Sequence, residues 1–175
     1  SSCYTPKRFY KLNFATIQTP RPLIWIWKTK CVMKIKVFAW LFFWDRLNTR
    51  DMLDKRHCDK EDDDLSCVLC NTNQRETRDN LFFNYPFSTA CWQFLGISWN
   101  TNLEFYQRIA FTRWQFNQTG FLEIFLLATW HIWKQRNGLI FKNLQPTFQS
   151  WKSLFINEVL LASLQNEGPP QAICS

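Results

Sequence analysis

Cys67 and Cys70, in the run Cys-Val-Leu-Cys, narrow the fold of this chain more than any other feature. A two-residue gap lets two thiolates grip one tetrahedral metal ion from a single tight turn, and the remaining donors must then be brought to the same point. His57, Cys58 and Cys91 are the nearest other residues with donor chemistry. Two thiolates alone do not close a structural zinc site. Cys67 and Cys70 therefore read either as half of a zinc centre or as small hydrophobes beside an aromatic cluster. That cluster follows at once, as Leu81-Phe82-Phe83-Asn84-Tyr85-Pro86-Phe87. Its rings could stack nucleic-acid bases or fill the space beside the turn.

The chain has 175 residues, enough to bury a real core, and ten Trp and seventeen Phe supply apolar area for it. Seven cysteines with no secretory hydrophobic segment before them argue for reduced thiols and an intracellular setting. No apolar run reaches the roughly 18 residues of a membrane span. Val37–Trp44 is too short, and Glu123 interrupts the later candidate. The chain reads as soluble, and its start at Ser1 without Met reads as an excerpt or a truncated frame.

Periodicity predicts a mainly α fold: a small helical domain around a zinc-knuckle-like loop, followed by a helical tail. Pro20 and Pro22 are expected to break any helix near them, with a helical turn over Ile24–Lys28. Val37, Trp40, Leu41, Trp44 and Leu47 fall at helical spacing, although this stretch is apolar all round and implies either a central helix or an exposed face meeting a partner. Asn48 or Thr49 can cap a second helix reaching about Arg56, with Asp51 in its first turn. Ser88 is expected to cap a helix that runs to Gly96. Helical patterns follow over Leu103–Trp114, over Phe121–Phe141, and from Pro146 to Gly168, the last with Trp151, Leu154, Phe155, Val159 and Ala162 as its buried stripe.

Charge is uneven. Residues 1–60 carry thirteen Lys or Arg against four Asp, a net of +9, whereas residues 61–175 sum to −2. Lys and Arg dominate non-specific affinity for phosphate backbones, so Lys34, Lys36, Arg46, Arg50, Lys55 and Arg56 are candidate contacts to RNA or single-stranded DNA. Gathered on one face they favour binding; dispersed, they favour a solvated structural surface. The acidic run Asp59–Asp64 reads as a solvated loop, because a catalytic cation needs carboxylates fixed in convergent geometry.

Several spaced motifs resemble one family. Cys67-x-x-Cys70, Glu76-Thr77 and Asn80-Leu81-Phe82-Phe83-Asn84-Tyr85-Pro86-Phe87 resemble the knuckle of the reverse-transcriptase zinc-binding domain in plant LINE-type (non-LTR) retrotransposons. Phe9-Tyr10-Lys11, Trp25-x-Trp27-Lys28, Lys34 to Trp40 and Leu47-x-Thr49-Arg50-Asp51 are similar to its entry pattern. Trp130-x-x-Trp133-x-x-Arg136-Asn137-x-x-x-Phe141 is similar to the helix that often precedes ribonuclease H. The resemblance implies a lead-in over 1–22, a zinc-binding-like domain over 23–100, a helical segment over 101–168 and a tail over 169–175. It places metal ligands at Cys67, Cys70 and two later positions where the family has His and Cys. Here those positions hold Asn80 and Tyr85, so the ligand set is degenerate and the expected cofactor is none, with zinc as the alternative.

No constellation for catalysis is evident. Polymerase chemistry needs paired aspartates at a turn, and ribonuclease H needs carboxylates converging on Mg²⁺. Neither pattern occurs, nor does a Gly-rich phosphate loop, and His57 and His131 give a nucleophile triad little to build from. Two functions follow. One is a non-catalytic module binding RNA or single-stranded DNA through its basic half. The other is a helical spacer between polymerase and ribonuclease H domains, its neighbours if the chain is an excerpt.

Overall fold

The computed structural model describes residues 20–56, 65–69 and 73–164. Among these, seven α-helices succeed one another: α1 (Arg21–Lys28), α2 (Met33–Phe43), α3 (Arg50–Lys55), α4 (Pro86–Phe94), α5 (Phe105–Phe116), α6 (Phe121–Lys142) and α7 (Phe148–Leu164). A π-helical turn, Asn80–Asn84, precedes α4. The fold is mainly α, and among the described residues pairing between extended segments is limited to one antiparallel bridge, Ser66 with Arg75.

α6 is the axis of the molecule. Phe121, Leu122, Phe125, Leu126, Leu127, Ala128, Ile132 and Arg136 are buried around most of its circumference, and α2, α5 and α7 pack against it. A helix apolar on so many sides is stable only when enclosed. Between α6 and the knuckle sits a continuous aromatic core. Phe42 alone meets Phe38, Phe43, Phe82, Phe83, Phe105 and Phe125, with ring centroids 4.8 to 6.3 Å apart. Such pairs add about 0.5–1.5 kcal/mol each beyond the area they bury. Trp92 satisfies its indole N–H on the Phe82 carbonyl (2.6 Å), and Trp151 does so on that of Ala128 (3.3 Å). Residues on both sides of position 100 contribute to this one core.

Four expectations shift. Pro20 and Pro22 do not exclude a helix but begin one: Pro20 precedes α1 and Pro22 lies in its first turn, where no backbone N–H is needed. α4 starts at Pro86 rather than after Ser88. Proline biases the residue before it toward extended backbone, so Tyr85 ends the π turn and opens the helix, while the Ser88 hydroxyl donates to the Leu81 carbonyl. The third is a rotation of α2. Its buried residues are Ile35, Phe38, Ala39, Phe42 and Phe43, whereas Val37, Trp40 and Trp44 lie on the solvent side. Both sets have helical spacing, and Leu47, beyond the helix end, is the one fully buried residue of the expected stripe. In α7, Trp151 and Phe155 are buried as expected, but Leu154 is exposed. The cap on α3 is as expected, with Thr49 Oγ1 accepting from the Met52 N–H (3.3 Å).

Candidate functional site

The knuckle is a short hairpin. The Cys67 N–H donates to the Gln74 carbonyl (3.0 Å) and the Glu76 N–H to that of Leu65 (2.8 Å), which turns Cys67 inward, buried, beneath the loop. The Leu69 N–H donates to Cys67 Sγ (3.3 Å), so the backbone wraps the sulfur. Cys70, with His57, Cys58 and the acidic run 59–64, lies outside the described residues. Cys91 is fully buried on α4, and burial raises its thiol pKa well above the ordinary value. Among the described residues no three His, Cys, Asp or Glu side chains group as a metal site would require.

Asn80 and Tyr85 do converge, but on the backbone. Asn80 Nδ2 donates to the Arg75 carbonyl (3.0 Å), and the buried Tyr85 hydroxyl lies 2.9 Å from that same oxygen and 3.1 Å from the Gln74 carbonyl. The π turn brings the two together: the Tyr85 N–H donates to the Asn80 carbonyl five residues back (3.0 Å), and Asn84 Nδ2 donates to Asn80 Oδ1 (3.1 Å). A neutral amide is a poor zinc donor, and a phenol must ionise from a pKa near 10 to become one. These two residues, already spent on hairpin carbonyls, do not fit a zinc centre. Phe82, Phe83 and Tyr85 are buried, so their rings are core and not base-stacking surfaces.

The other motif residues hold the hairpin from below. Glu76 is fully buried; Arg136 Nη2 lies 2.7 Å from its Oε1 and Nε lies 3.5 Å from its Oε2. The Arg50 N–H donates to Glu76 Oε1 (3.1 Å), the Asp51 N–H to the Glu76 carbonyl (3.2 Å), and Arg50 Nη1 to the Ser66 carbonyl (2.8 Å). Asp51 is also buried. Lys55 reaches its Oδ2 at 2.7 Å, and Arg75 bridges Asp51 and Asp54 at 2.5 Å each. Burial works against the Asp51 charge, but hydrogen bonds from Lys55 and Arg75 outweigh it and hold the carboxyl below its usual range. Arg75 had no periodicity or motif to mark it in the sequence. The pairing of Glu76 with Arg136 joins two quoted motifs that nothing in the sequence connected.

The six candidate cations fall into two groups. Arg46, Arg50, Lys55 and Arg56 surround α3, where Arg56 donates to Asn48 Oδ1 (2.8 Å) and to the Arg46 carbonyl (3.2 Å). Lys34 and Lys36 lie in the first half of α2, nine and seven residues before its last residue, about 14 and 11 Å at 1.5 Å per residue. Lys34 pairs with Glu158 (3.6 Å), and Lys36 Nζ donates to the Trp27 carbonyl (3.4 Å). Arg46, Lys55 and Arg56 are exposed, and Arg50 is half-buried.

A groove of about 790 Å³ runs between the start of α2, α6 and α7, lined by Val32, Ile35, Leu127 and Val159 with Cys31, His131 and Glu158 among them. His131 is buried. Glu158 Oε2 lies 2.9 Å from Nε2, yet among the described residues neither ring nitrogen makes a hydrogen bond of good geometry. Burial, with Lys134 nearby, pushes the imidazole down to about 4, and burial pushes the Cys31 thiol up to about 11. Among the described residues no helix is long and apolar enough to cross a membrane.

No curated protein and no solved structure matches this chain. Residues 4–92, just over half of its length, match a family described as zinc-binding in reverse transcriptase. That span holds the Cys67 hairpin, Glu76 and the π turn that closes on Arg75, and by this match the chain belongs to the family of zinc-binding domains of reverse transcriptases.

Proposed function

We propose that the chain is a non-catalytic module from a plant LINE-type retrotransposon reverse transcriptase that binds RNA or single-stranded DNA through its basic N-terminal half and closes its knuckle without zinc. The gathering of Arg46, Arg50, Lys55 and Arg56 around the six residues of α3 carries the binding reading. Arg46 and Arg56 are exposed there with Lys55 beside them, and cations gathered in this way raise the local phosphate affinity more than the same charges scattered. The plant LINE origin rests on the motif resemblance. The metal-free knuckle rests on the donor chemistry of Asn80 and Tyr85.

Anisotropy of a labelled single-stranded RNA tests the binding. The logarithm of the affinity is expected to fall linearly with the logarithm of salt concentration, with a slope of about −0.7 per phosphate neutralised. Arg46→Glu with Arg56→Glu should weaken it at every salt concentration. Absence of binding at low salt overturns the proposal and leaves the spacer reading. That alternative draws on the burial of Glu76 against Arg136, which makes the knuckle and the long helix one body.

A further inference from the structure

The two groups of cations on α2 and α3 are separated by a bare aromatic face. At 100° per residue, Met33, Val37, Trp40 and Trp44 fall within one narrow stripe of α2, opposite the Ile35, Phe38 and Phe42 face that enters the core. They are exposed to 65%, 47%, 44% and 46% respectively. Two adjacent tryptophans at i and i+4 sit one turn apart on this surface. A helix solvated on this side would ordinarily carry polar residues there, so a large apolar stripe in solvent marks a surface that something covers.

Its surroundings say what kind of partner. Lys36 precedes Trp40 by one helical turn, and Arg46 follows Trp44 by two residues with Arg56 bonded to its carbonyl. α2 itself holds no acidic residue. Asp45, next to Trp44 in the chain, lies 4.0 Å from the Arg78 guanidinium, which offsets its charge. Flat π faces between cationic ends match a polyanion whose bases are free to stack: the charges attract its backbone and the rings receive its bases.

We propose that Trp40 and Trp44 form a stacking platform for single-stranded nucleic acid, with Lys36 holding the backbone at one end and Arg46 and Arg56 at the other. This deepens the binding reading above and rests on it. Charge supplies attraction to any phosphate backbone, and the platform supplies the preference for strands whose bases are unpaired. Duplexes keep their π faces occupied and gain only the charge term.

The test compares a twelve-nucleotide single strand with a duplex of the same length, using the full chain and the variants Trp40→Leu/Trp44→Leu and Trp40→Phe/Trp44→Phe. Leucine keeps the apolar face without a stacking ring; phenylalanine keeps the ring. The leucine pair is expected to lose tenfold or more of single-strand affinity with duplex affinity and salt slope unchanged, and the phenylalanine pair to retain most of it. Both residues are exposed, and thermal melts confirm that the variants fold. Equal single-strand affinity in wild type and leucine variant overturns the platform while leaving charge-driven binding standing. No binding of either probe by wild type overturns the binding reading itself. A wild-type dimer in light scattering that the leucine pair dissolves, with oligonucleotide affinity unchanged, assigns the stripe to a second copy of the chain and also overturns the platform.

Discussion

Arg136, on the long central helix, places Nη2 2.7 Å from Oε1 of Glu76, sixty residues earlier in the knuckle hairpin, and both side chains are sealed from solvent. Glu76 also receives the Arg50 N–H, so one carboxylate ties the hairpin, the start of α3 and α6 together. The Arg136 guanidinium is further fixed by Asn137 Oδ1 (3.1 Å) and lies over the Trp133 ring. The Glu-Thr, Trp-x-x-Arg-Asn and Thr-Arg-Asp motifs thus meet at one buried charge.

Removing one partner of a buried pair strands the other. Arg136→Met is therefore expected to cost about 3–5 kcal/mol in urea unfolding, whereas adding Glu76→Gln should recover a large part of that loss. A single-variant loss under 1 kcal/mol would show that water reaches the pair.

The rotation of α2 is tested by two neighbouring aromatics. Phe42→Ala removes the hub of the ring cluster and should cost about 3–5 kcal/mol. Trp40→Ala, although a larger truncation, should cost clearly less, because close to half of that side chain faces solvent. The reverse order of losses would mean that the stripe read from the sequence is the buried one.

How α2 escaped the sequence shows where periodicity stops. Val37, Trp40 and Trp44 repeat at the helical period, but so do Ile35, Phe38 and Phe42, and a helix apolar all round gives a period without a phase. Only tertiary packing against α6 selects the face. The long helix, the Thr49 cap and the mainly α fold were legible because each rests on local signals. Proline near α1 misled for a related reason: the same residue breaks a helix interior and starts a helix end, and which applies depends on what lies downstream. In the knuckle the resemblance singled out Asn80 and Tyr85. Their common acceptor, the Arg75 carbonyl, was not legible, since no side-chain pattern announces a backbone oxygen.

Acid should act in two stages. The His131 imidazole, held down to about 4 in the fold against an ordinary 6.5, takes up a proton in the unfolded chain first. Stability is therefore full above pH 6.5 and declines as pH falls toward 4, the unfolded state binding more protons throughout that window. Lys134 and Lys34 oppose the charged ring and Glu158 favours it, so the net decline reports burial. Asp51, whose carboxyl is lowered from 3.8, adds its loss only below that value. Melting temperatures between pH 4 and 7 should slope in wild type and flatten in His131→Leu; parallel slopes would place the sensitivity elsewhere.

The knuckle's closure gives the most direct test, because hydrogen bonds and a metal respond to opposite treatments. Tyr85→Phe removes the hydroxyl from the Gln74 and Arg75 carbonyls and should cost about 1 kcal/mol, with Asn80→Ala costing a similar amount. Chelator should leave the unmodified chain's melting temperature unchanged. Asn80→His with Tyr85→Cys supplies an imidazole and a thiolate in place of the amide and phenol, to join Cys67 and Cys70 in a four-donor set. That variant should gain about 2.7 kcal/mol when free zinc is a hundredfold above its dissociation constant, and lose the gain to chelator. Elemental analysis that finds one tightly held zinc per unmodified chain would defeat this reading and transfer the missing ligands to His57, Cys58 or Cys91. Release of that metal by Cys58→Ser or by Cys91→Ser would then tell which thiol had taken over.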